Sequence, residues 1–95
     1  MHFPLRIFKI KERSMEPELH EGDYVLVRQA FIKLSPGDIV VLRHPKKEMS
    51  IVKRVASAGS RGYFVRGDNS EHSEDSRHFG RIGSEAIIGK VVCKI

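Results

Sequence analysis

Gly37-Asp38-Ile39-Val40-Val41-Leu42-Arg43 sets a Gly-Asp turn signal directly ahead of an unbroken run of β-branched and apolar residues, the pattern of a short buried strand. Gly22-Asp23-Tyr24-Val25-Leu26-Val27-Arg28 carries the same arrangement earlier in the chain. Working outward from these two, residues 49–55, 63–66 and 87–95 predict three further strands, and alternation of Phe3, Leu5 and Ile7 with Pro4 and Arg6 predicts another over residues 3–11. Ser35-Pro36-Gly37-Asp38, His44-Pro45-Lys46-Lys47, Ala58-Gly59-Ser60-Arg61-Gly62 and Gly67-Asp68-Asn69-Ser70 punctuate them as turns. Helix is confined to a turn after Ser14, limited by Pro17, and another near Ser84-Glu85-Ala86. Strand follows strand with no room for crossover helices. The expected fold is therefore all-β: a small, mostly antiparallel β-barrel or folded sheet with minimal helix.

Residues 1–95 are expected to form a single domain, since a chain this short encloses one core and no repeat or low-complexity linker divides it. Seventeen Lys and Arg against twelve Asp and Glu give a formal charge of +5, which attracts anionic partners. The basic residues are spread over several segments rather than gathered in one, so a solvated surface is the reading and no nucleic-acid partner is expected. Cys93 is the only cysteine, which excludes an internal disulfide and a cysteine metal cluster. It falls on one face with Ile87, Val91 and Ile95, predicting a packed core thiol. The histidines at 2, 20, 44, 72 and 78 lack paired ligand spacing, and no metal or other cofactor is expected. No apolar run is long enough to span a bilayer, and residues 1–13 lack a secretory signal. A complete chain of this composition is expected to be soluble and cytoplasmic, with any membrane attachment supplied by a partner.

One strand breaks its own pattern. In residues 49–55, alternation puts Met49, Ile51, Lys53 and Val55 on one face and Ser50, Val52 and Arg54 on the other. An amine on an apolar face loses its proton more readily, which suits a general base near neutral pH. The alternative is that Lys53 reaches water from a barrel rim. A base needs a nucleophile, and Ser14, in Ser14-Met15-Glu16-Pro17, is the candidate. The polar stretch from Gly67 to Gly80 is too long for a tight hairpin and is dense in short side chains that bond local backbone, as functional loops often are. Its Asp68, Glu71, Glu74 and Asp75 do not match the spacing of an EF-hand.

Taken in order, Ser14-Met15-Glu16-Pro17 with Leu19 and Gly22-Asp23, then Gly37 to Val41, then Lys53-Arg54-Val55, then Gly67-Asp68-Asn69 with Ser73, Asp75-Ser76-Arg77 and Gly80, resemble the boxes of the type I signal peptidases. The resemblance runs from Ser14 to the C-terminus. It implies a serine endopeptidase with a Ser-Lys dyad that removes a leader or signal-type peptide from a protein precursor after a small residue. Ser14 would be the nucleophile and Lys53 the general base, with Ser73 orienting the amine and Asp75 and Arg77 in a supporting ion pair. Ile10, Met15, Leu19, Ile51 and Val52 would surround a shallow apolar specificity pocket, simple core packing being the alternative for all five. The family often draws a second oxyanion donor from two residues before the nucleophile. That position here is Glu12, which cannot donate when ionised.

The absence of a membrane-spanning helix before Ser14 and the short span from Lys53 to Gly67 suggest a minimal catalytic core, most similar to the small nickel superoxide dismutase maturation proteases. Self-cleaving SOS repressor-type proteases, which also use a Ser-Lys dyad, and a non-catalytic peptide-binding β-module are the other readings kept.

Overall fold

A computed structural model of the chain describes residues 4–29 and 33–95. Six strands form one antiparallel sheet: β1 (Leu5–Lys9), β2 (Tyr24–Arg28), β3 (Ile39–Arg43), β4 (Ser50–Gly59), β5 (Gly62–Arg66) and β6 (Ile87–Lys94), in spatial order β1-β2-β6-β3-β4-β5. The last strand thus enters the middle and joins the β1–β2 hairpin to the β3–β4–β5 meander. Both predicted Gly-Asp turns form. Gly22 and Gly37 take left-handed conformations, with φ of 95° and 97°, which an L side chain adopts only under strain. The following aspartates close the turns: Asp23 accepts from the His20 N–H and Asp38 from the Ser35 N–H, each at 2.8 Å.

The sheet carries an apolar cluster on each face. Val40, Leu42, Ile51, Val55 and Val65 pack with Leu34 and Ile82 on one; Val25, Val27 and Val41 pack with Ile10, Met15 and Leu19 on the other. β3 contributes to both clusters, which explains why its sequence is continuously apolar rather than alternating. The sheet is folded and open. One end of it curls so that β1 and the beginning of β4 face each other across a cleft of about 500 Å³. No described helix is long and apolar enough to cross a membrane.

Three expectations are corrected. Cys93 is exposed. A bulge between β2 and β6 pairs Leu26 with Cys93 but Val27 with Val91, which breaks the alternation of β6. β3 pairs β6 only as far as Lys90, leaving Cys93 a single neighbouring strand. Met49 is 38% exposed in the turn before β4 and does not share the buried face of Ile51, Lys53 and Val55. The Gly67 to Gly80 segment contains helical turns that its polar composition concealed, a 3-10 turn at Ser70–His72 and α1 at Ser76–Phe79. Phe3, expected in the first strand, lies outside the described residues.

Candidate active site

Lys53 sits opposite Val40 in the β3–β4 ladder and is 1% exposed. β5 begins its pairing with β4 one residue later, at Arg54 opposite Arg66, so Lys53 stands where the outer edge of β4 becomes free. Loop residues rather than a strand close over it. Burial holds its pKa below that of a free lysine, opposed by the negative charges of Glu12, Asp75 and Glu74, while Arg77 adds to the lowering.

A directed chain of hydrogen bonds runs from the amine. Lys53 Nζ lies 3.2 Å from Ser73 Oγ, and the Ser73 hydroxyl donates to Asp75 Oδ2 at 2.7 Å. With its proton committed to Asp75, Ser73 presents a lone pair to Lys53 and accepts from the amine. Asp75 is fully buried and caps α1. It accepts from the Arg77 backbone N–H, from Arg77 Nε at 2.9 Å and Nη2 at 3.0 Å, and from the Gly67 N–H at 2.9 Å. Burial pushes this carboxyl up, but the bonds from Arg77, Gly67 and Ser73 together outweigh it and hold Asp75 well below the usual carboxylate range. It remains charged and fixes Ser73.

Ser14 reaches the same place from the other side. It is 2% exposed and opens the turn between β1 and β2, which the Leu19 N–H closes on the Met15 carbonyl at 2.9 Å. Asn69 ties it to the long loop: its N–H donates to the Ser14 carbonyl at 2.8 Å and its Nδ2 to the Arg13 carbonyl at 3.1 Å. Gly67 leaves no room for a side chain between Ser14 and Ser73. A Cβ there would lie 2.6 Å from the Ser14 carbonyl oxygen and overlap Ser73 Oγ. The bond that Lys53 makes is to Ser73, and among the described residues no hydrogen bond joins Lys53 Nζ to Ser14 Oγ. The Ser14 N–H donates no backbone hydrogen bond among the described residues, leaving it available to an incoming oxygen.

The cleft beside Ser14 is lined by Ile10, Met15, Val41, Ile51 and Val52. Leu19 is placed differently, buried in the cluster with Met15 and Val25 and away from the cleft. Glu12 lines the cleft with Ser14 and is half-buried. The reading of the sequence missed the parts played by Gly67 and Asn69 individually, although both lie in the stretch it singled out. It also missed His44, buried at 5%, which had no pattern to betray it.

The described residues thus form an open antiparallel sheet with a buried lysine, a cleft that Ser14 lines and two strand edges facing that cleft. The Peptidase S24-like family model matches residues 3–92, and the chain belongs to that family. A stretch of 56 residues is 36% identical to signal peptidase I of Aquifex aeolicus (strain VF5), covering 55% of this chain and 22% of that protein. The chain thus corresponds to a small part of the length of this relative.

Proposed function

We propose that this chain is a serine endopeptidase in which Ser14 is the nucleophile and Lys53 the general base. The observation that carries this reading is the buried Lys53 amine, depressed in basicity and bonded to Ser73, which Asp75 holds beside Gly67 where the Ser14 carbonyl also packs. Lys53, neutral, takes the Ser14 hydroxyl proton as Oγ adds to the peptide carbonyl. The Ser14 N–H donates to the developing oxyanion. The tetrahedral adduct collapses, the C–N bond breaks, and the lysine proton passes to the leaving amine. Water, deprotonated by the regenerated lysine, then hydrolyses the ester.

The substrate would be an extended segment of a protein precursor. Among the described residues β1 has a free outer edge and β4 has one over residues 50–53, and both face the cleft, so a peptide can pair as an added strand. The apolar lining contributed by Ile10, Met15, Val41, Ile51 and Val52 suits a small residue before the scissile bond, as in removal of a leader or signal-type peptide.

The test is covalent labelling with a serine-directed acylating probe, followed by mass spectrometry. Labelling of Ser14 in the wild type, lost in both Ser14→Ala and Lys53→Ala, is expected. Glu12 favours a second reading, a peptide-binding module without catalysis, because a carboxylate in the cleft opposes an oxyanion. Peptide binding with no labelling of Ser14 would favour that module.

A further inference from the structure

His44 follows β3 directly, and its side chain is 3% exposed. A buried imidazole needs partners for both nitrogens, and here they are different. Nδ1 accepts from the Lys46 N–H at 3.0 Å, which requires the proton on the other nitrogen. Nε2–H then donates to Glu74 Oε1 at 2.5 Å. Lys47 Nζ approaches the same oxygen at 3.3 Å, and the ring packs edge-on against Phe79 of α1 with centroids 5.2 Å apart.

The ring thus joins the turn after β3, through Lys46, to the segment that carries Ser73 and Asp75, through Glu74. The His44 N–H also bonds the Met49 carbonyl at 2.9 Å, closing the turn whose residues Glu48, Met49 and Ser50 line the cleft. Glu74 lies between Ser73, which holds the Lys53 amine, and Asp75, which holds Ser73. From this we infer that His44 is a positioning residue: in its Nε2–H form it clamps the Ser73–Asp75 segment to the β3–β4 turn and so aims Ser73 at Lys53. The inference rests on the Ser14–Lys53 reading for its catalytic consequence, but the clamp and its effect on Lys53 do not.

Without the clamp, Asp75 is still held by Arg77 and Gly67, so the segment drifts rather than unfolds. Misplacement of this kind costs rate rather than binding, roughly 10- to 100-fold. Filling the space beneath Phe79 is the competing role, and three substitutions separate the two. His44→Gln places an amide N–H near the position of Nε2 and keeps the donor to Glu74. His44→Asn supplies an acceptor for the Lys46 N–H but no donor to Glu74. His44→Phe preserves packing and removes both.

Each variant, checked for folding by thermal denaturation, is measured in two ways: the rate of Ser14 acylation by the probe across pH, and the titration of the Lys53 side chain by NMR. With the clamp, acylation in the Asn and Phe variants falls about 10- to 100-fold, and the Lys53 midpoint moves up towards that of a free lysine as water gains access. The Gln variant stays close to wild type in both. Unchanged Lys53 titration in the Asn and Phe variants overturns the inference, as does a Gln variant as impaired as Asn. If the wild type is not acylated but the Lys53 midpoint follows the Gln, Asn and Phe order, the clamp stands and the catalytic reading falls. Acylation that is indifferent to His44 leaves the catalytic reading and removes the clamp.

Discussion

Replacing Lys53 with methionine is expected to stabilise the fold while ending acylation of Ser14. The side chain is 1% exposed and its strand neighbours Ile51 and Val55 belong to an apolar cluster, where an unbranched thioether of similar length fits. What the substitution leaves behind is modest. Ser73 loses one donor but still donates to Asp75, and Asp75 keeps the Arg77 fork and the Gly67 N–H. The lost bond costs about 1 kcal/mol. Replacing a buried ionisable group by a packed apolar one gains about 1 to 4 kcal/mol, so the net gain is roughly 0 to 3 kcal/mol, each kcal/mol raising the melting midpoint by about 4 to 8 °C in a domain of this size.

The pH dependence has a definite sign. Lys53 has a lowered pKa in the folded chain and about 10.4 in the unfolded one. Between these values the unfolded chain binds more protons, so wild-type stability rises with pH, an increment that the methionine variant lacks. The advantage of the variant is therefore greatest below the folded pKa and shrinks towards about pH 10. Denaturant unfolding of both proteins across that range reads it directly. A variant less stable than wild type near neutral pH would refute the reasoning. It would mean that Lys53 is a charged partner whose loss leaves Glu12, Glu74 and Asp75 uncompensated, and not a group whose charged form burial disfavours.

Gly67→Ala is expected to cost roughly 1 to 3 kcal/mol, because the new methyl collides with the Ser14 carbonyl and Ser73 Oγ. Acylation should fall by about 10- to 100-fold with the far-UV circular dichroism unchanged; full activity would show that Ser14 and Ser73 need not be apposed. Glu12→Gln replaces a carboxylate facing Lys53 with a group that can donate. Kinetics across pH should show acylation faster by about tenfold, within the range of one added oxyanion donor. The acidic limb should move to lower pH, because removing that negative charge lowers the Lys53 pKa further. A limb that stays in place would show that Glu12 does not act on Lys53.

The strands and their turns were legible because they rest on local chemistry: Gly-Asp pairs at positive φ, and apolar runs of strand length. Cys93 was misplaced because alternation extrapolates through a bulge that only the pairing of Leu26 and Val27 with β6 reveals. The helical turns after Gly67 were illegible for a related reason. Asp75 caps α1 and His78 returns the bond to its N–H, so four residues form a helix without the periodic apolar face by which a helix is ordinarily recognised. Lys53 announced itself by sitting on an apolar face. His44 did not, since its partner Glu74 is thirty residues away, and nothing in the spacing of two polar residues so far apart marks them as neighbours.

The location of the candidate site follows from where strand pairing stops. β5 leaves β4 at Arg54, which frees the edge of β4 at Lys53 and sends the chain through Gly67 across that opening. A lysine at such an edge would extend its amine to water unless something covered it. The cover is the segment from Gly67 to Asp75, pinned by Asn69 to Arg13 and Ser14, by Asp75 to Arg77, and by Glu74 to His44. The low basicity of Lys53 is therefore a property of the closed loop more than of strand β4. The same closure that buries the amine also brings the Ser14 backbone against Gly67, so one segment governs both the basicity of Lys53 and the placement of Ser14.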